Sequence, residues 1–391
     1  MNNTIFLISL TAICCLGGFA SDINAPSIES IANSLNTSID TIQFTMTIYF
    51  IGFSLSQLFY GPLTDTVGRI KPLATGILLF TFSSILSAIS TDAAFLILTR
   101  LGQGLGAGAT ACIWRAMFLD RFNKDEIVIY ASYLQLFILF TLPSAPLIGG
   151  LLDKYISWQS TFVFMGTYGV ICFAITQFMQ EDTLKEPLPF NITSVSKRYK
   201  DIVTHPVFIR YIPCAATSYG IFVSWFFVGK VLTKLDTDTF GLYCFITSVP
   251  AIFIASRINK QFITTLGADR LIIIGFLLMM LGAIIIGISQ LLSIMPLLFL
   301  AYFLIVIGAM IVPANTFSKA FEPFGKTAGT AAGIYGGLQQ LGASVTGTII
   351  TFLPEETAYP YATLIIILSL TLLLSFRAMS HFRVSAKTDQ V

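Results

Sequence analysis

The sequence predicts an all-α membrane protein of twelve transmembrane helices, arranged as two six-helix halves around a central midplane cavity. Composition is the first reason. The 391 residues are 55% hydrophobic and only 11% charged, with a mean hydropathy of +0.81, whereas a soluble domain carries about 25% charged residues. Apolar runs are the second: twelve spans at ~20 residues use ~240 residues, which leaves room for short loops and one longer connector. An internal repeat is the third. Gly68 and Gly76, in GRIKPLATGILL, are matched by Gly267 and Gly275, in GADRLIIIGFLL, and each pair leads into an apolar run. Two repeats enclosing a midplane cavity are a recurrent solution for such duplicated chains in a bilayer.

The first span, 5–27, follows an amino terminus without the basic residues of a signal peptide, and apolar runs resume downstream, so it is expected to remain uncleaved. It carries Asp22. A charge at mid-membrane costs ~2.5–3.5 kcal/mol on the insertion scale, and among the chain's 20 acids Asp22 is the clearest intramembrane one. Pro26, four residues on, removes the backbone hydrogen bond to the Asp22 carbonyl and should bend the span there. Spans two and three, 43–63 and 72–90, flank the turn GPLTDTVGRIKPL at 61–73, where Asp65, Arg69 and Lys71 sit between uncharged runs. Two glycines and two prolines keep this turn tight. On the second span Tyr49, Phe53 and Gln57 stand one turn apart on one face, the candidate lining of the cavity.

The fourth span, 94–117, holds Arg100 several residues inside, with Gln103 one turn on. Glycines and alanines at 102, 104 and 106–109 let another helix approach closely. Arg115, at the other end of this span, is expected to join a surface cluster with Asp65, Arg69 and Asp120. In the fifth span, 127–151, TLPSAPLIGGLL contains Pro143 and Pro146, which should bend it, and Ala145, Gly149 and Gly150, which offer a small-residue packing face. The sixth span is 159–179. A polar stretch at 181–205 then divides an N-terminal half, 1–180, from a C-terminal half, 206–391, with spans near 206–229, 239–256, 270–290, 294–316, 327–352 and 358–378.

Basic residues set the orientation. Loops after even-numbered spans and the carboxyl tail hold Arg69, Lys71, Arg121, Lys124, Lys185, Lys197, Arg198, Lys200 and more, while the opposite loops hold Lys154, Lys230 and Lys234. The positive-inside rule therefore puts both termini in the cytoplasm. A net charge of +2 with no basic run gives no reason to expect nucleic acid. All six cysteines fall in apolar stretches without a CxxC pair and read as core residues. His205 and His381 are isolated, and no metal or other cofactor is expected.

The turn at 61–73 resembles the signature loop of the major facilitator superfamily: Gly61, Leu63, Asp65, Gly68, Arg69, Lys71 and Leu73 fit, and Thr66 stands where the family usually has a base. Arg100, Gln103, Gly104, Gly106 and Ala107 fit the family's fourth-span motif. Asp22–Pro26, the APxxGG form at Ala145–Gly150, Trp158–Phe162, Pro313 with Asn315, and AGTAAG at 328–333 resemble the Bcr/CflA branch of drug:proton antiporters. Asn24 replaces a frequent tyrosine and Gln159 a frequent arginine of that branch.

The resemblance implies the major facilitator fold and a monomeric, proton-coupled exporter of small amphipathic molecules in a bacterial-type inner membrane, energised by the proton gradient without a cofactor. Asp22 and Arg100 would couple the proton: hydrocarbon disfavours the ionised carboxylate and the arginine favours it. Asn24, Tyr49, Phe53, Gln57 and Gln103 would line the cavity, and Gly61, Asp65, Gly68, Arg69, Arg115 and Asp120 would form the conformational switch. A uniporter or proton-symport importer is the alternative. A channel in which Asp22 and Arg100 merely hold helices together is separable by flux against a gradient. A membrane enzyme would need clustered acid/base residues, and neither histidine falls inside a span.

Overall fold

The computed structural model describes residues 3–388 apart from 123, 180, 185, 190, 236, 352, 355 and 356. Their order is α1 (Asn3–Asp22), α2 (Ile28–Ser34), α3 (Ile39–Val67), α4 (Ile70–Ala88), α5 (Ala93–Arg121), α6 (Lys124–Tyr155), α7 (Gln159–Met179), α8 (Ile192–Val203), α9 (Pro206–Thr233), α10 (Thr237–Leu292), α11 (Pro296–Ala320), α12 (Ala328–Thr351) and α13 (Tyr359–Thr388). Among the described residues there is no strand. α1 and α2 form one broken span, Asn3–Ser34. α10 has 56 residues, far more than the ~20 one crossing needs. It comprises two legs meeting at Gly267, whose φ of 75° and ψ of 163° interrupt the helix. Counted so, and with the amphipathic connector helix α8 set aside, the described residues form twelve long segments, the number the sequence predicts.

Two compact units emerge. The first comprises residues 1–123, 137–201 and 324–337; the second comprises 124–136, 202–323 and 338–391. In the first, α5 packs against α3 and α4, α4 against α7, and α1 against α5 and α7. Ser38 and Asp92 cap α3 and α5 by accepting from the backbone N–H of Thr41 and Phe95, at 3.2 and 2.9 Å. In the second, α11 packs on α10 and α9, and α13 on the same two helices.

The glycine repeat is carried into matching geometry. Gly68 has φ 93° and Gly267 has φ 75°, a region closed to most L-residues, and each glycine precedes a helical run. A Cβ on Gly76 would lie 3.0 Å from the Gly106 carbonyl, and one on Gly275 3.0 Å from the Gly308 carbonyl. Each second glycine thus lets its helix touch the backbone of the next one. The charges did not duplicate with the glycines: in the second unit Asp269 instead receives Arg210 at 2.8 Å and the Tyr211 hydroxyl at 2.6 Å.

Candidate functional site

α1 stops at Asp22, and a single 3-10 turn, Ala25–Ser27, leads into α2. Pro26 sits in that turn and has no N–H to offer the Asp22 carbonyl. Neighbouring side chains bond the backbone just before the break: Arg100 Nη1 donates to the Ala20 carbonyl at 3.2 Å, and the Tyr49 hydroxyl to the Gly17 carbonyl at 2.8 Å. The Asp22 carboxylate accepts the Ser21 hydroxyl at 2.6 Å. Among the described residues it forms no ion pair with Arg100.

Arg100 is 1% exposed, so it is a buried cation rather than one reaching for the membrane surface. Its Nη1 also donates to Gln103 Oε1, whose Nε2 donates to Ser84 Oγ at 2.8 Å. The guanidinium lies 4.5 Å from the Tyr49 ring centroid and 6.0 Å from that of Phe162, within cation–π range. Phe53 stacks on Tyr49 at 5.9 Å. Asn24 Oδ1 accepts from the Thr161 hydroxyl, and two buried donors, Asn24 Nδ2 and Arg100 Nη2, have no hydrogen-bond partner among the described residues. Chemically, this arrangement offers one carboxylate able to take up a proton, a fixed positive charge on a neighbouring helix, and two donors free for an acceptor.

Small residues make this density possible. A Cβ on Gly104 would strike the Tyr49 carbonyl and one on Gly108 the Ser56 hydroxyl, both on α3, while one on Gly106 would strike Phe80 on α4. The glycine-rich face of α5 thus admits two helices. On α6, a Cβ on Gly149 would overlap the Ile23 carbonyl, and one on Gly150 would lie 3.6 Å from Pro26 Cβ, so this pair seats the broken end of α1. Ala145 is buried and Pro146 partly so, whereas the side chain of Pro143 lies outside the described residues. Gly149→Leu is expected to cut the yield of folded protein several-fold, since overpacking costs about 1–3 kcal/mol or more. Leu147→Ala, at an exposed position, should leave the yield unchanged, and size-exclusion profiles of the two variants check this.

The signature turn forms a second, charged centre. Arg69 is fully buried; its Nη1 donates to Asp65 Oδ1 at 2.7 Å and its Nε and Nη2 to Asp120 at 2.9 and 3.2 Å. Burial alone would push the Arg69 pKa down, but hydrogen bonds and charge from Asp120 and Asp65 outweigh it and hold the group above its ordinary value. Asp65, also fully buried, accepts from the backbone N–H of Gly329 and Thr330 at 2.8 Å each and from the Thr330 hydroxyl at 2.6 Å. These are unsatisfied donors of the first turn of α12, where the helix dipole favours a negative charge.

Glycines again permit the approach. A Cβ on Gly61 would lie 2.8 Å from the Gly329 carbonyl, and one on Gly333 would overlap the Gln57 carbonyl. Gln57 is buried on this contact face and donates to the Phe53 carbonyl at 3.2 Å.

The structure brings Asp65, Arg69 and Asp120 together as one cluster, and Arg100, Gln103, Tyr49 and Phe53 as another. Arg115 donates to the Ala111 carbonyl and lies 5.1 and 5.9 Å from the Trp114 and Tyr335 rings. Sequence reasoning did not assign Thr330, Gly329, Ser84 or Thr161 to these clusters. For the first two the AGTAAG stretch was a signal, since a glycine-rich helix start presents free N–H groups. Thr161 falls in the Trp158–Phe162 stretch without being singled out there, and nothing in the sequence pointed to Ser84.

Among the described residues eight helices are long and apolar enough to cross a membrane, and with a caged arginine at a helix turn and a carboxylate at a helix break they define a polytopic membrane protein. Similarity to known proteins agrees. A bicyclomycin resistance protein homolog of Haemophilus influenzae is 24% identical over 91% of this chain and 91% of its own length. Multidrug resistance protein D of Escherichia coli is 28% identical over 97% and 98%, and a chloramphenicol resistance protein of Pseudomonas aeruginosa 25% identical over 88% and 83%. The structure of the proton:xylose symporter XylE bound to 6-bromo-6-deoxy-D-glucose superposes with a TM-score of 0.72, covering 95% of this chain and 96% of that one at 14% identity, a likeness of fold alone. The chain belongs to the Major Facilitator Superfamily, whose pattern matches residues 10–347. It is an integral membrane transporter, not an enzyme.

Proposed function

We propose that the protein exports small amphipathic molecules (drugs, metabolites or siderophore-like compounds) in exchange for protons, by alternating access across a bacterial-type inner membrane. The observation that carries this is Asp22, a carboxylate at a helix break, with a buried arginine nitrogen on the neighbouring helix that has no hydrogen-bond partner among the described residues. Such a carboxylate can be neutral or charged according to which side it faces, and Arg100 biases the choice. The resistance proteins among its relatives support drugs as substrates. Asp65 and Arg69, with Asp120, act as the switch: neutralising or withdrawing Asp65 releases the first turn of α12.

Each proton entering down 100 mV contributes ~2.3 kcal/mol, enough for a ~50-fold gradient of a neutral substrate. Proteoliposomes with an imposed pH gradient test the proposal with chloramphenicol as probe. Accumulation driven by opposing proton flow is expected. Mere equilibration would identify a uniporter, and accumulation in the direction of proton flow would identify a symporter.

The basic loops support both termini in the cytoplasm. On a background lacking the six cysteines, Thr91→Cys and Thr357→Cys are expected to react with an impermeant thiol reagent added outside, and Ser194→Cys is not. The reverse pattern would invert the topology.

A further inference from the structure

The turn between α3 and α4, at Gly68 and Arg69, leaves helix-end groups that its own residues do not satisfy, and the polar connector that follows α7 supplies partners for them. The Asp182 carboxylate accepts from the Arg69 backbone N–H at 3.0 Å through each oxygen, with Ile70 N–H at 3.5 Å, and so caps α4. The Leu188 N–H donates to the Asp65 carbonyl at 2.9 Å, closing the last turn of α3. Between them, the Thr183 hydroxyl donates at 2.7 Å to Asp120 Oδ2, the oxygen that also receives Arg69 Nε.

Two further contacts fasten the connector. Glu186 pairs with Lys326 at 2.8 Å, just before α12, and the Tyr199 hydroxyl donates to the Leu58 carbonyl. The lysine's hydrogen bond and charge hold the exposed Glu186 carboxyl below its usual range. A side chain on Gly68 would overlap the Asp182 carboxylate, so this glycine is required by its contact as well as by its φ.

We infer that the connector is a working part of the switch, with Asp182 and Thr183 as positioning residues. By capping α4 and sharing Asp120 they set where Arg69 stands, and Arg69 in turn aims Asp65 at Gly329 and Thr330. The connector thereby favours the state in which α12 is held. This rests on the transport reading above, but one arm of its test does not depend on it.

Ala332 is fully buried beside these contacts, so in Ala332→Cys protein, on the cysteine-free background, the rate of thiol modification reports release of α12 without drug or proton gradient. Asp182→Ala should raise that rate on the order of five-fold, the effect of losing a typical cap. Asp182→Asn, which keeps a capping oxygen, should restore it, and Thr183→Val should raise it less. In transport, Asp182→Ala should change turnover while leaving KM near its starting value. Unchanged labelling in Asp182→Ala would overturn the inference. So would a loss of melting temperature and substrate binding together that Asp182→Asn fails to rescue, since that marks a purely structural cap. Normal labelling shifts with no coupled transport would fault the exporter reading and leave the connector's role standing.

Discussion

Asp22→Asn is expected to abolish uphill export, so that the up to ~50-fold accumulation available per proton at 100 mV collapses to simple equilibration. The substitution changes almost nothing in shape. Asn can still accept from the Ser21 hydroxyl, and the Arg100 bond to the Ala20 carbonyl does not involve the side chain. Substrate binding should therefore survive while proton exchange does not. Drug-induced proton release from detergent-solubilised protein separates the two: wild type should release protons on substrate addition, and the variant should bind silently. Asp22→Glu keeps a titratable group and should retain part of the transport with a displaced pH profile. Undiminished release from Asp22→Asn would move the proton carrier elsewhere or remove proton coupling from the mechanism.

Asp65→Asn is expected to lower turnover roughly ten-fold or more while the substrate Kd stays within about two-fold. The carboxylate is fully buried between Arg69 on one side and three donors of α12 on the other. An amide has one acceptor oxygen where the carboxylate has two, so the NH2 group must face a donor and one partner is lost. Breaking one side of a buried charge pair costs about 3–5 kcal/mol, and that cost falls on the state in which the contacts are made. The equilibrium between states shifts, whereas the polar groups around Asp22 and Arg100 are untouched. Stopped-flow transport with parallel binding measurements checks the split, and a large loss of affinity at normal turnover would contradict it.

Much of the architecture was legible because hydrocarbon imposes simple rules on sequence. A chain with 11% charged residues must keep its charges in turns, so the apolar runs, the connector and the basic loops between them could be read directly. Pro26 announced the break after Asp22 because proline lacks the donor on which the helix depends. The glycines of α5 announced close packing because nothing else lets two backbones approach, though not that 104 and 108 would meet α3 while 106 met α4.

What the sequence by itself determined were the elements, their repeat, and which ionisable residues lie where charge is costly. The tertiary structure alone decided their partners. That Arg100 bonds the Ala20 carbonyl just before the break at Asp22, that Asp65 holds the start of α12, and that Asp182 caps α4 from 113 residues away all depend on contacts between distant segments. Periodicity and propensity report what a residue does to its own helix. A hydrogen bond across such separations is set by how the helices pack, and no local signal at either end names the partner.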